Sequence, residues 1–103
     1  MIYISVLKKN NRIVGMNSHG HADYANHGED LVCAGVSSIV IGLCNALDAL
    51  YPSAKCTVAN NIITIKINEP NDVSDTIMNT AIIQLQTMVE VYSKNIKIVK
   101  QEV

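Results

Sequence analysis

The chain of 103 residues has no tryptophan, no phenylalanine and a single arginine, Arg12. A nucleic-acid groove made of phosphate-binding guanidinium groups and base-stacking rings has almost nothing to be built from, and a formal net charge of −1 supplies no basic field. No direct nucleic-acid partner is expected. Proline is scarce, and no Ser/Gly/Pro-rich stretch or single-sign charge run is present, which excludes a linker-dominated or disordered chain. The cysteines, Cys33, Cys44 and Cys56, are an odd number without CxxC spacing. They offer neither a disulfide framework nor a thioredoxin-like pair, so reduced thiols in a cytosol are the expectation. The first nine residues lack the charged start and apolar block of a signal peptide, which agrees with a cytoplasmic location. Leu31 to Leu50 is apolar enough to raise the question of a membrane span, but Ser37, Ser38, Asn45 and Asp48 interrupt it at a cost in lipid. No membrane partner is expected.

What is present is a core. Apolar residues make up 49% of the chain and charged residues only 17%, and the length suits one domain spanning residues 1–103. Ile2, Ile4 and Val6 alternate with other residues, Asn10-Asn11 tolerates the positive φ of a tight turn, and Ile13-Val14 resumes an extended pattern. This is a hairpin. Leu31 to Leu50 reads as a helix that is apolar on almost every side, with Ala34, Gly35, Gly42 and Ala46 permitting close approach of neighbours, which predicts a central core helix. Cys56 to Val58 and Ile63, Ile65, Ile67 alternate around a second Asn-Asn turn at Asn60-Asn61. Asn71 or Asp72 starts a second helix, whose stripe of Val73, Ile77, Ala81, Leu85, Met88 and Tyr92 recurs every three or four residues. Ile96 and Ile98 give a last strand. The expected fold is α+β, two-layer, in the order β-β-α-β-β-α-β, with a mostly antiparallel sheet and two helices.

Between the first hairpin and the first helix the pattern breaks. His19 to Asp30 holds three histidines, three acidic residues and two glycines without apolar periodicity, as expected of a loop made for something other than packing. Asp30 is placed to cap the helix that follows, which puts Cys33 at its third position. There, unpaired backbone N–H groups and the positive end of the helix dipole favour a thiolate and could also stabilise an oxyanion. His21 lies twelve residues earlier, and Gly20 and Gly28 ease the path by which the loop would fold back to bring the two together. An imidazole beside a thiol is an activated nucleophile pair.

Each of these residues also has an ordinary reading. Free cysteine is most often buried, and Cys44 and Cys56 are assigned to that role. Asp30 either caps the helix or orients the imidazole. Ser37, one turn beyond Cys33, either faces the reacting site or bonds a carbonyl in the preceding turn. Metal binding by His19, His21, His27, Asp23 and Cys33 is a rival use of the same loop, although the spacing matches no zinc motif.

Taken together, Gly20-His21-Ala22 followed by Gly28-Glu29-Asp30-Leu31-Val32-Cys33-Ala34-Gly35-Val36-Ser37 resembles the signature of the ribosomal-processing cysteine proteases, the Prp or YsxB-like family. The resemblance implies a cytoplasmic bacterial endopeptidase that removes the N-terminal extension of large-subunit ribosomal protein twenty-seven. It implies His21 and Cys33 as the catalytic pair and Asp30 and Ser37 as supporting positions. It further implies Gly20 and Gly28 as hinges of a loop that moves when substrate binds, a homodimer, and no metal or other cofactor. A reading from another class is a ribosome-associated binding or assembly protein using the same loop without catalysis. A reactive thiol separates the two, because a binding module does not need one.

Overall fold

A computed structural model describes residues 1–26 and 30–103 of the chain. The strands are β1 (Ile2–Lys9), β2 (Arg12–Gly20), β3 (Lys55–Ala59), β4 (Ile62–Lys66) and β5 (Ile96–Glu102), and the helices are α1 (Leu31–Leu50) and α2 (Asp72–Tyr92). The element order is the one expected from the sequence. The strands form a single sheet in the order β3-β4-β2-β1-β5, in which only β1 and β5 run parallel.

Two-residue turns close both hairpins. Lys9 pairs with Arg12 and Ala59 with Ile62, and all four intervening asparagines have φ between 52° and 64°. Asparagine tolerates the left-handed region better than other side-chain-bearing residues, and a turn with two such residues matches the right-handed twist of the strands it joins. One face of the sheet then carries Ile2, Ile4, Val6, Met16 and Ile65, which join the buried stripes of α1 and α2 in one cluster. The alternate residues Tyr3, Ser5 and Leu7 lie on the opposite, uncovered face.

Helix α1 differs from the all-round core helix expected of it. Only Val32, Val36, Val40, Leu43 and Leu47 are buried, whereas Leu31, Ile41 and Leu50 are exposed. The reason is architectural: in a two-layer fold a helix has the sheet on one side only, so burial is confined to a stripe at three- and four-residue spacing. By length and composition alone this helix is long and apolar enough to cross a membrane. Of its glycines, Gly35 lies against the flexible end of Met88, but a methyl group at Gly42 would meet no atom within 4 Å. Close approach is therefore the use of Gly35 and not of Gly42. Gly42→Ala is expected to stabilise the protein by about 0.5–1 kcal/mol, because alanine loses less backbone entropy in a helix interior. A rise of a few degrees in the melting temperature checks this.

Helix α2 begins at Asn71, whose side chain accepts from the Ser74 N–H while the Ser74 hydroxyl accepts from the Asn71 N–H. This capping box lets Ser74 be fully buried, and the buried residues of the helix are Ser74, Met78, Ala81, Ile82 and Leu85. Of the expected stripe, Ala81 and Leu85 are buried, Ile77, Met88 and Tyr92 pack half-buried against the core, and Val73 alone is exposed. Arg12 holds the same end of α2 to the sheet. Its Nη1 meets Asp72 Oδ1 at 2.6 Å and Asp75 Oδ2 at 2.9 Å, and the Ile13 N–H donates to Asp75 Oδ1. The one arginine thus joins β2 to α2.

Candidate active site

Strand β2 ends on Gly20, which has φ +95°. A Cβ there would run into the Met1 carbonyl oxygen, so the position needs glycine for both conformation and space. The chain leaves the sheet at this point, exposing His21 and burying Ala22. It then turns through Asp23, a non-glycine residue at φ 55°. The Met1 amino group donates to the His21 carbonyl and to Asp23 Oδ2, which ties the turn to the beginning of β1.

Asp30 caps α1 as expected, with Oδ1 accepting from the N–H groups of Val32 and Cys33, both at 3.0 Å. Its Oδ2 accepts from Tyr24 N–H at 3.0 Å and Ala25 N–H at 3.4 Å. One carboxylate therefore joins the loop to the helix start, and among the described residues its hydrogen bonds run to backbone N–H groups rather than to the His21 ring. Desolvation works against the charge, but the N–H donors of Cys33, Tyr24 and Ala25, with a smaller contribution from the Cys33 thiol, outweigh it and hold the carboxyl below its ordinary range.

The sign of the resulting pH dependence is fixed. A carboxyl with a depressed folded-state pKa contributes stability above its unfolded value, near pH 4, and loses it as the pH falls through the lower folded value. Asp30→Asn keeps an oxygen for the cap but presents an amide where Oδ2 accepted from Tyr24 and Ala25. The variant is expected to melt below the wild type at pH 7, with the difference narrowing as both are titrated below pH 4. Melting temperatures measured across that range check it.

The same cap engages N–H groups at the start of the helix. The N–H groups of Val32 and Cys33 are taken by the carboxylate, and that of Ala34 is taken by the Asp30 carbonyl at 3.1 Å. The N–H aimed at the sulfur comes from outside the helix: Ala22 N–H donates to Cys33 Sγ at 3.2 Å. Nothing in the sequence flags it, since a main-chain donor leaves no side-chain signature.

Around the thiol lies an open groove of about 610 Å³, lined among others by His21, Asp30, Cys33, Ser37, Val58 and Ile63. Gly20 also borders it, so five of the six residues singled out from the sequence meet in one place. The sixth, Gly28, lies outside the described residues, as do His27 and Glu29. Ser37 is exposed, and among the described residues its hydroxyl has no hydrogen-bond partner. Thr76, Thr80 and Thr87 on α2, by contrast, each donate to the carbonyl four residues back. Val58 and Ile63, which also line the groove, were missed from the sequence. Alternation places the two on one face of the second hairpin, but does not place that face on the groove.

The other candidate ligands, His19 and Asp23, also border the groove, but each has a partner of its own, Asp23 in the Met1 amino group. The His19 ring stacks on Tyr3 across the β1–β2 ladder, with centroids 5.5 Å apart and planes 25° apart. No group of three or more His, Cys, Asp or Glu side chains arranged to hold a metal is found among the described residues. Cys44 and Cys56 pack against the core. Burial, and then the neighbouring Cys56 thiol, push Cys44 up to about 12, which leaves it protonated at neutral pH. Of the cysteines, Cys33 is the one that borders the groove.

A family model described as cysteine protease Prp matches residues 1–97. The chain belongs to this family. It is 34% identical over 83 residues to the ribosomal processing cysteine protease Prp of Staphylococcus aureus (strain Mu50 / ATCC 700699), an overlap of 77% of this chain and 78% of that one. Its fold superimposes with a TM-score of 0.90, at 27% identity, on the crystal structure of the Prp ribosomal processing protease from S. aureus with a covalently linked product peptide, covering 98% of this chain and 100% of the other. A second S. aureus structure of that protease, with a substrate peptide, gives a TM-score of 0.81 over the same shares of the two chains. The protein is therefore a cysteine protease of the ribosomal-processing family, and the α+β order read from its sequence is the order of that fold.

Proposed function

We propose that this protease removes the N-terminal extension of large-subunit ribosomal protein twenty-seven, with Cys33 as nucleophile and His21 as the acid–base partner. The observation that carries the reading is that Cys33 Sγ borders the same groove as His21 while receiving the Ala22 N–H at 3.2 Å. The similarity to ribosomal processing proteases solved with substrate and product peptides supports a peptide as the occupant of that groove.

In this mechanism His21 takes the proton from the Cys33 thiol, and the sulfur attacks the scissile carbonyl carbon to form a C–S bond. The C–N bond then breaks as His21 returns the proton to the leaving amine. A water molecule, deprotonated by His21, next attacks the thioester and releases the extension as a carboxylate with the thiol restored. Asp30 fixes the start of α1 and the loop that carries His21, and Ser37 offers its hydroxyl to the peptide. Gly20 and Gly28 act as the hinges of the loop, the first through its positive φ. No cofactor takes part. The enzyme works in the cytoplasm as a homodimer.

The test is to incubate the protein, under reducing conditions, with ribosomal protein twenty-seven carrying its extension and to follow the product by mass. Loss of the extension is expected. An intact substrate after many enzyme equivalents and hours would rule out this assignment.

A further inference from the structure

Ala22 stands between two hydrogen bonds. Its N–H donates to Cys33 Sγ at 3.2 Å, and its carbonyl accepts from Asn95 Nδ2 at 2.8 Å. These groups belong to adjacent peptide planes joined at the Ala22 Cα, whose methyl is buried in the core. Holding the carbonyl therefore restricts where the N–H can point.

Asn95 is 73 residues further along the chain, in the turn between α2 and β5. Its own backbone is fixed at both ends: its N–H donates to the Tyr92 carbonyl at 2.9 Å, and its carbonyl accepts from the Ile2 N–H at 2.8 Å. The amide thus projects from the junction of α2, β5 and β1 into a loop whose described residues form no helix or strand. A second contact lies beside it, where the Tyr24 ring meets the Tyr92 ring edge-on, with centroids 5.5 Å apart and planes 83° apart.

We propose that Asn95 is a positioning residue of the protease: through Ala22 it holds the N–H that meets Cys33 Sγ and keeps the adjoining His21 at the groove. The proposal rests on the reading of Cys33 and His21 as the catalytic pair. Hydrogen bonds weaken steeply as the donor swings away from the acceptor, and an ångström of misplacement in a reacting constellation costs up to about a hundredfold in rate. Without the amide, the residues between β2 and α1 retain Asp30 at one end and the Met1 amino group at the other, but lose the side-chain hydrogen bond that fixes the Ala22 carbonyl.

The variants are Asn95→Ala and Asn95→Ser, neither of which adds charge and neither of which reaches Ala22. Both keep the backbone bonds to Tyr92 and Ile2. Two quantities are measured on whichever variant melts cooperatively: kcat and KM for extension removal, and the rate at which iodoacetamide modifies Cys33, followed by mass on the peptide that contains it. The expected result is a kcat lower by about tenfold with KM within about twofold, and Cys33 alkylation slowed by about threefold or more. A folded variant with wild-type kcat and alkylation rate overturns the proposal. So does a fall in kcat with alkylation unchanged, since a general loss of stability would not act through the sulfur. The alkylation arm needs no peptide substrate, so it decides the role of Asn95 separately from the catalytic reading, which fails instead if Cys33→Ala still cleaves.

Discussion

Cys33→Ala is expected to abolish cleavage, a fall of at least about ten-thousandfold, while the protein melts within a few degrees of the wild type. No other thiol can substitute, because Cys44 is pushed up to about 12 and packs, with Cys56, against the core. The fold has little reason to notice the change. Cys33 is half-buried at the edge of the groove, Asp30 still caps α1 through the backbone N–H of residue 33, and the Ala22 N–H that loses its sulfur partner can turn to water in the open groove. Product mass and a thermal melt on the same preparation separate the two effects. Full cleavage by a well-folded alanine variant would remove the thiol from the mechanism.

Gly20→Ala is expected to have the largest effect on stability. A side chain at φ +95° is strained by about 1–3 kcal/mol wherever it occurs, and here its Cβ also collides with the Met1 carbonyl, just before the paired strand β1. Backbone cannot give way as a flexible side chain can, so a total loss of about 2–3 kcal/mol is expected, or on the order of 10 °C in melting temperature for a chain of this size. His21 is the next residue, so the displacement also reaches the reacting site, and cleavage falls with stability. Thermal denaturation decides it, and a wild-type melting temperature would show that the end of β2 can be rebuilt without glycine.

Much of this site was legible in the chain because its determinants are local. The Asn-Asn pairs specify their turns within four residues, Asp30 finds its N–H partners two and three residues on, and the paired His21 and Cys33 motifs point to one family. Local rules also set their own limit. They left the whole of α1 as a candidate for burial, and on α2 they put Val73 in the buried stripe and passed over Ser74, Met78 and Ile82. Which side of a helix is covered depends on where the sheet lies, and the capping box at Asn71 lets the polar Ser74 be buried where its aliphatic neighbour Val73 is exposed.

Sequence by itself determined the α+β order, both hairpin turns, the capped start of α1 and the family signature, because each is written in neighbouring side chains or in one short motif. Only the tertiary structure decided what meets the thiol. The Asp30 carboxylate takes up the helix-start N–H groups, Ala22 supplies a main-chain donor from across the loop, and Asn95 holds that donor from the far end of the chain. The second hairpin brings Val58 and Ile63 to the same groove. These contacts join residues distant in sequence, several of them through backbone atoms that every residue carries, so no spacing or residue type announces them until the sheet and helices have packed.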